Sequence, residues 1–346
     1  MNILIVRLGA LGDIVHAIPA AAALRTAFPS ARIDWLVDAR HREIVELVTA
    51  VDDVVTVDSP SVGGWIRTVR SLRTTPYDVA LDLQGLMKSA VLARASGAPR
   101  VVGFSIWHLR EKTARPFYSE VDRSDSMRSF RLQAEDHVIH KNLRLLRTLG
   151  VESTAIEFPL RTVWSAALDD VRRDVGEAPF ALLNPGAAWP NKRWPADRFG
   201  ATAAFLRDVR GMRSLVLWGP GEAPLAHAVA EASDGAAIVA PPTRLTDLVA
   251  LSRAAALMIS GDTGPLHIGA SAGTPLVAIF GPTDPLRNGP FSPDDLVVSR
   301  YGACGCHYHR RCRRAAWCLA DVSVAEVTAA IQQRLTHAGA STRPAE

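Results

Sequence analysis

The chain has 346 residues, of which 48% are hydrophobic and 21% are charged. This composition supplies enough apolar side chains for two domain cores and excludes a disordered protein. No uninterrupted apolar run reaches the roughly 18 residues that a membrane crossing needs, and the first residues lack the pattern of a secretory leader. We therefore expect a cytoplasmic protein. The net charge of +4 favours anionic partners only weakly, and we expect no nucleic acid among them.

Apolar strands alternate with helices along the first half of the chain. The pattern predicts strands at 1–6, 33–37, 54–57, 79–83 and 101–104, and helices at 14–27, 41–50, 65–73 and 86–95. Strands that are apolar throughout and separated by helices indicate a parallel sheet covered on both faces. The alternation stops in an arginine-rich segment, 105–131, which predicts a long surface excursion. A helix over 133–149, capped by Gly150, is predicted to follow it.

A less regular segment, 151–179, contains one predicted helix at 166–175 and separates the two halves. The alternation then restarts, with strands predicted at 180–184, 214–218, 237–239, 256–260 and 276–280, and helices at 195–209, 223–232, 245–253 and 266–272. Two successive α/β halves of similar size predict two Rossmann-like domains facing each other across a cleft. We place the domains at 1–160 and 161–337, followed by a tail, 338–346, that we expect to be disordered.

The turn after the first predicted strand reads Arg7-Leu8-Gly9-Ala10-Leu11-Gly12-Asp13. A dinucleotide fingerprint would need glycine in place of Leu11, and Asp13 falls where a pyrophosphate would bind at the start of the helix. The same helix N-terminus favours the ionised form of Asp13. The side chain is therefore a candidate general base at the mouth of the cleft. The alternative is that Asp13 only caps its helix.

Four glycine-bearing turns follow strands of the second half and fall at one edge of its predicted sheet. They comprise the loop from Asn184 to Pro195, Trp218-Gly219-Pro220-Gly221-Glu222, Gly261-Asp262-Thr263-Gly264-Pro265-Leu266-His267 and Gly281-Pro282-Thr283-Asp284-Pro285. Pro265 suits the first helical position, so the backbone N–H groups of Thr263 and Gly264 should point outward and cradle a phosphate. Lys192, the only lysine of this half, could supply a charge partner. Ordinary tight turns and a solvated lysine are the alternatives.

Taken together, these motifs resemble the lipopolysaccharide heptosyltransferases, the inverting sugar transferases of glycosyltransferase family 9. The resemblance covers almost the whole chain. Besides the opening turn, it rests on Asp34-Trp35-Leu36-Val37, Asp82-Leu83-Gln84-Gly85-Leu86-Met87-Lys88-Ser89, the Trp218 and Gly261 turns, and Phe280 followed by the Gly281 turn. The segments with Trp35 and Gln84 lean towards heptosyltransferase I.

The resemblance implies a GT-B fold with the acceptor in the first domain and ADP-heptose in the second. It implies transfer of L-glycero-D-manno-heptose to the Kdo-lipid A inner core in lipopolysaccharide biosynthesis, without a required cofactor or an active-site metal. A family 9 enzyme of the heptosyltransferase II type, or one with another donor or acceptor, remains an alternative. Because this acceptor is linked to a lipid, the resemblance also implies peripheral contact with the cytoplasmic face of the inner membrane.

The resemblance also assigns roles to individual residues. Asp13 matches the catalytic base and Lys192 the phosphate-binding lysine, so that Asp13 deprotonates an acceptor hydroxyl while Lys192 stabilises the departing ADP. The implied donor-binding residues are Asn184, Gly186, Lys192, Glu222, Asp262, Thr263, Gly264, Pro265 and His267. The implied acceptor-binding residues are Gly12, Gln84, Lys88, Arg110, Lys112 and Arg115.

All four cysteines of the chain lie within fifteen residues, at Cys304, Cys306, Cys312 and Cys318. This cluster departs from heptosyltransferase I. In a cytoplasmic protein, clustered thiols more often bind a metal or stay free than form disulfides, and this spacing matches no standard zinc pattern. A structural metal, free or redox-active thiols, and disulfides therefore remain alternatives.

Two functions from other classes compete with sugar transfer. The first is a nicotinamide-dependent dehydrogenase on the same two-domain plan, which Leu11 and Asp13 disfavour. The second is a sugar-nucleotide-binding protein without turnover, which the presence of both Asp13 and Lys192 disfavours.

Overall fold

The structure is a computed structural model that describes residues 1–57, 61–122, 137–312, 314 and 317–341, the last five of these by backbone only. The chain divides into two compact units, Met1–Thr162 and Val163–Glu346. Each unit contains one parallel six-stranded sheet with helices packed on it. No helix in the described ranges is long and apolar enough to cross a membrane.

The sheet of the first unit has the strand order β3-β2-β1-β4-β5-β6. Its strands are β1 (Asn2–Val6), β2 (Arg32–Asp38), β3 (Asp53–Val57), β4 (Val79–Asp82), β5 (Arg100–Gly103) and β6 (Glu120–Val121). All the pairings are parallel, and the strand order reverses between β1 and β4. In open α/β sheets, ligands bind outside the carboxyl ends of the strands at such a reversal. The turns after β1 and β4 therefore occupy the expected ligand position of this unit.

The helices of the first unit differ from the predicted ones mainly at their ends. They are α1 (Leu11–Val15), α2 (Ile18–Ala27), α3 (Arg42–Glu46), α4 (Val62–Leu72), α5 (Met87–Ala95) and α6 (Val138–Leu145). The single helix predicted over 14–27 is broken, because Pro19 has no N–H to donate to the carbonyl four residues earlier. A 3₁₀ helix, Leu146–Leu149, continues α6 and ends at Gly150, whose φ of 73° confirms the predicted cap.

The described part of the excursion, 105–122, is more ordered than the sequence suggested. It contains a 3₁₀ helix, Lys112–Phe117, and leads into β6, which pairs with β5. The Tyr118 hydroxyl donates a hydrogen bond of 2.7 Å to the carboxylate of Asp82, which is fully buried at the end of β4. Asp82 also accepts bonds from the backbone of Gln84 and from the hydroxyl of Ser89, so one buried carboxylate fixes both the β4 turn and the excursion.

The sheet of the second unit has the order β12-β11-β10-β7-β8-β9. Its strands are β7 (Phe180–Asn184), β8 (Arg213–Val216), β9 (Ala237–Val239), β10 (Leu257–Gly261), β11 (Leu276–Phe280) and β12 (Leu296–Ser299). The order reverses between β7 and β10, which places the turns after these two strands at the expected ligand position. The sequence analysis did not predict β12, whose burial is only partial.

The helices of the second unit are α7 (Ala166–Val175), α8 (Ala196–Arg210), α9 (Ala223–Glu231), α10 (Leu245–Ala254), α11 (Gly264–Ala272), α12 (Pro285–Asn288) and α13 (Val324–Ser341). Helix α13 was not predicted. It packs on α8, β11 and β12. The first four residues of the expected tail are helical because α13 extends to Ser341, and residues 342–346 lie outside the described chain.

A buried indole anchors the loop between β7 and α8 to the core of the second unit. Trp194 is 2% exposed, its ring meets that of Phe199 edge-on at 5.0 Å, and its Nε1 donates a 3.0 Å bond to the carbonyl of Val322. Burying an indole stabilises a fold by a few kcal/mol and fixes the backbone beside it. Lys192, two residues earlier, is thereby held in place at the carboxyl edge of the sheet.

Candidate active site

The candidate base Asp13 lies at the reversal of the first sheet, as the third residue of α1. Its Oδ2 is 2.7 Å from Nη2 of Arg7 and accepts a long, 3.4 Å hydrogen bond from the backbone N–H of Ala10. The Asp13 side chain is 38% exposed, so a substrate hydroxyl can reach its carboxylate. The guanidinium and the backbone N–H together fix the position of one carboxylate oxygen at the start of α1.

Arg7 is a functional candidate that the sequence analysis missed. It is 7% exposed, its Nη1 donates to the carbonyl of Leu83, and its own carbonyl accepts a 3.1 Å bond from Nε1 of Trp35. Arg7 thus connects the turns after β1 and β4, and its guanidinium binds the Asp13 carboxylate. A charged residue directly after the buried apolar run 3–6 was the available signal.

The predicted acceptor-binding residues fall into two places in the first unit. Gly12 lies in α1, and Oε1 of Gln84 accepts a 2.8 Å bond from the backbone N–H of Leu8, so both border the Asp13 turn. Lys88 is exposed on α5, which packs against the 3₁₀ helix Lys112–Phe117. Arg110 is exposed just before that helix and Lys112 is exposed at its first residue, while Arg115 donates to the carbonyl of Tyr118 at 3.1 Å. The other excursion arginines, Arg123, Arg128 and Arg131, lie outside the described residues.

In the second unit, Lys192 and Asp262 form a buried ion pair at the sheet reversal. Nζ of Lys192 lies 2.5 Å from Oδ2 of Asp262, and the two side chains are 15% and 7% exposed. The hydroxyl of Thr283 donates a 2.7 Å bond to the same oxygen, and Nε2 of His267 lies 3.3 Å from Oδ1. The structure therefore brings three predicted donor-site residues together and adds Thr283, from the fourth glycine-bearing turn.

The electrostatics keep this buried carboxylate charged. Burial alone would raise the pKa of Asp262, but the hydrogen bond from His267 and the charge of Lys192 lower it overall, well below its usual range. Asp262 consequently remains an anion at neutral pH and fixes the position of the Lys192 ammonium. An ammonium held in this way needs little reorganisation to meet an incoming phosphate.

Helix α11 presents its N-terminus beside this pair. Thr263 is the N-cap residue, and its side chain makes no capping bond to the helix. Its hydroxyl is instead held by Nδ2 of Asn184 at 2.8 Å, and the same amide contacts Ser260 at 2.9 Å. Gly264 and Pro265 are the first two helical residues, so Pro265 is at the second position and not at the predicted first. Uncapped N–H groups with a partial positive charge suit an anionic phosphate.

Glu222 and Gly186 face each other across two neighbouring turns. A Cβ on Gly186 would collide with the Glu222 carboxylate, so only glycine leaves room for it. Oε2 of Glu222 accepts a 3.1 Å bond from the backbone of Gly219, and Oε1 lies 3.7 Å from Nη2 of Arg193. The carboxylate is therefore oriented beside the Lys192 loop, where it can accept hydrogen bonds from hydroxyl groups.

The four cysteines come together in one small cluster next to these turns. Cys304, Cys306 and Cys318 are buried, Cys312 is half-buried, and all four are free thiols in this structure. The sulfurs of Cys304 and Cys306 lie 3.3 Å apart, whereas sulfurs around a tetrahedral zinc, at about 2.3 Å from the metal, lie about 3.8 Å apart. Within the described ranges, no group of three or more histidine, cysteine, aspartate or glutamate side chains is arranged to hold a metal ion. The metal alternative thus gains no support.

Residues 65–317 match the model of glycosyltransferase family 9 (heptosyltransferase). The chain belongs to glycosyltransferase family 9. It is 28% identical, over 320 residues, to lipopolysaccharide heptosyltransferase 1 of Pseudomonas aeruginosa, with 88% of this chain and 85% of that protein covered.

Solved structures of the same family share the fold. The glycosyltransferase family 9 structure from Veillonella parvula superposes with a TM-score of 0.81 at 24% identity, with 97% of both chains covered. The Escherichia coli heptosyltransferase WaaC with ADP-2-deoxy-2-fluoro heptose superposes with a TM-score of 0.74 at 23% identity, with 96% of this chain and 99% of that chain covered.

These matches confirm the predicted family and the GT-B fold with two Rossmann-like domains. They also confirm that the chain is a glycosyltransferase. The dehydrogenase alternative is thereby set aside. The family model begins at residue 65, so Asp13 lies before the matched range. The roles of individual site residues consequently rest on the geometry described above.

Proposed function

We propose that this family 9 enzyme transfers heptose from ADP-heptose to the Kdo-lipid A inner core of lipopolysaccharide. The observation that carries the proposal is the buried Lys192–Asp262 pair beside the open N-terminus of α11, which together suit a diphosphate. The names of its relatives support the sugar and the acceptor, since the P. aeruginosa relative is a lipopolysaccharide heptosyltransferase and the WaaC structure contains an ADP-heptose analogue.

The second domain, 161–337, would bind the donor. Lys192 and the N-terminal N–H groups of α11 would hold the diphosphate, while Glu222 would accept hydrogen bonds from the ribose hydroxyls. As the bond between the anomeric carbon and the diphosphate oxygen breaks, negative charge builds up on ADP. A cation and helix N–H groups that are already in position stabilise that charge without reorganising.

The first domain, 1–160, would bind the acceptor and supply the base. Asp13 would take the proton from an acceptor hydroxyl as its oxygen attacks the anomeric carbon on the side opposite the leaving ADP, which inverts the configuration. Arg7 would hold the carboxylate in a fixed orientation. Gly12 and Gln84 border this position, so we assign them to the wall of the acceptor site.

The cationic excursion would meet the anionic groups of the acceptor and the membrane that carries it. Arg110 and Lys112 are exposed there, and the same loop exposes Ile106 and Trp107, which are 42% and 41% accessible. Cations next to an exposed indole are typical of surfaces that lie in the headgroup region of an anionic membrane. Peripheral contact of this loop with the inner membrane is therefore part of the proposal.

Incubation of the purified protein with ADP-heptose and Kdo-lipid A tests the proposal. Mass spectrometry should show release of ADP in step with addition of one heptose to the acceptor. Transfer only to an acceptor that already carries a heptose would favour the heptosyltransferase II alternative. Binding of ADP without transfer or hydrolysis would support the binding-protein alternative and contradict an enzymatic role for Asp13.

A further inference from the structure

The segment that carries the cysteines, described at 301–312, 314 and 317–319, is attached to two of the loops that form the proposed donor site. Nδ2 of Asn191 donates a 2.8 Å bond to the carbonyl of His309, and Nε1 of Trp317 donates a 3.0 Å bond to the carbonyl of Arg193. On the other side, the backbone N–H of Tyr308 donates a 2.8 Å bond to the carbonyl of Pro282. The segment is therefore a third wall of the proposed donor site, beside the loops that follow β7 and β11.

This wall brings a second cation to the indole of Trp189. Nζ of Lys192 lies 4.7 Å from the ring centre, and the guanidinium carbon of Arg310 lies 5.7 Å from the same centre. Both distances fall within the roughly 6 Å range of cation–π attraction. The half-buried ring of Trp189 is therefore a contact that the Arg310 guanidinium and the Lys192 ammonium share.

The cations of the site differ in whether a carboxylate of the protein already balances their charge. Lys192 is paired with Asp262, and Arg193 lies near Glu222, so each of these cations has a carboxylate counterpart. Arg310 has no carboxylate within ion-pair distance among the described residues, and its side chain is exposed. Of these three cations, only Arg310 therefore has a charge that is not already balanced by the protein.

We propose that Arg310 is a donor-binding residue that contacts the diphosphate of the nucleotide sugar and neutralises charge on the departing nucleoside diphosphate. The inference rests on the proposed function, since it assigns a residue to the same donor site. Trp189 acts as a platform that holds the guanidinium in position, and the bond between Asn191 and His309 fixes the backbone next to it. The cysteine cluster, which packs within the same segment, gives this wall its internal core.

Isothermal titration with ADP tests the inference without an acceptor. Arg310→Ala should weaken ADP binding about tenfold, which corresponds to about 1.4 kcal/mol. Because the lost contact is ionic and exposed, the difference from the wild type should shrink as the salt concentration rises. Arg311→Ala is the matched control, since Arg311 is the exposed neighbour in sequence and has no described contact with Trp189. The affinity of this variant for ADP should stay within about twofold of the wild type. An unchanged melting temperature in both variants would show that they fold.

The outcomes separate the inference from the proposed function. If the wild type binds ADP and Arg310→Ala binds it equally well, the inference is wrong while the proposed donor site stands. If Arg311→Ala loses as much affinity as Arg310→Ala, the effect belongs to the general positive field of the segment, and the specific contact is refuted. If the wild type does not bind ADP, the proposed donor is wrong and the inference falls with it.

Discussion

Replacing Lys192 by methionine removes the cation of the buried pair while keeping a side chain of similar length. Asp262 would then be a buried carboxylate that keeps only its contacts with Thr283 and His267. Removing one partner of a buried ion pair costs about 3–5 kcal/mol, because the remaining charge is left uncompensated. Since two contacts remain, we expect the lower end of that range, about 3 kcal/mol.

Differential scanning calorimetry at neutral pH measures this effect. In a domain of this size, 1 kcal/mol shifts the melting temperature by about 2–4 °C, so Lys192→Met should lower it by roughly 6–12 °C. Adding Asp262→Asn should recover most of the loss, because the uncompensated charge disappears, whereas ADP binding should stay impaired. Lys88→Met, at an exposed position, is the control and should change stability by less than about 0.5 kcal/mol. A shift below about 2 °C for Lys192→Met, or no recovery in the double variant, would refute the reasoning.

Three further predictions concern other parts of the chain. Gly261→Ala should lower both the melting temperature and the affinity for ADP, because the added Cβ would lie 2.9 Å from the carbonyl oxygen of Lys192. Equal values for the variant and the wild type would contradict this close approach. Iodoacetamide at pH 7.5 should label Cys312 before Cys306. A backbone hydrogen bond lowers the pKa of the Cys312 thiol, whereas burial raises the pKa of Cys306 to about 12. Peptide mapping that finds Cys306 labelled first would contradict this order. Trp107→Ser should weaken sedimentation with anionic vesicles several-fold without changing ADP affinity; unchanged sedimentation would remove the loop from the membrane contact.

The sequence predicts those parts of the fold that depend on local pattern. Apolar strands that alternate with helices were enough to predict the two parallel sheets, and glycine-bearing turns after strands marked the edge of each sheet where we propose that ligands bind. The positions of Asn184 and Asp262 follow from the same logic, because carboxyl ends of neighbouring parallel strands meet at one edge. Family motifs then related these positions to sugar transfer.

The parts that the sequence did not predict depend on contacts between distant residues. From the sequence alone, Asp13 could equally be a simple helix cap, because its ion pair with Arg7 forms only in the folded turn. The contact of Thr283 with Asp262 likewise requires β11 to lie beside β10. The cysteine segment showed no periodic pattern, so its attachment to the Lys192 loop through Asn191 became visible only in the folded chain.

The most direct test of the account is the kinetics of Asp13→Asn with ADP-heptose and Kdo-lipid A. If Asp13 is the base, single-turnover transfer should slow by on the order of 10²- to 10⁴-fold, the usual contribution of a general base. ADP affinity should remain within about twofold, because the proposed donor site lies in the other domain. The exposed control Glu46→Gln should transfer at the wild-type rate. A near-normal rate for Asp13→Asn would contradict the account.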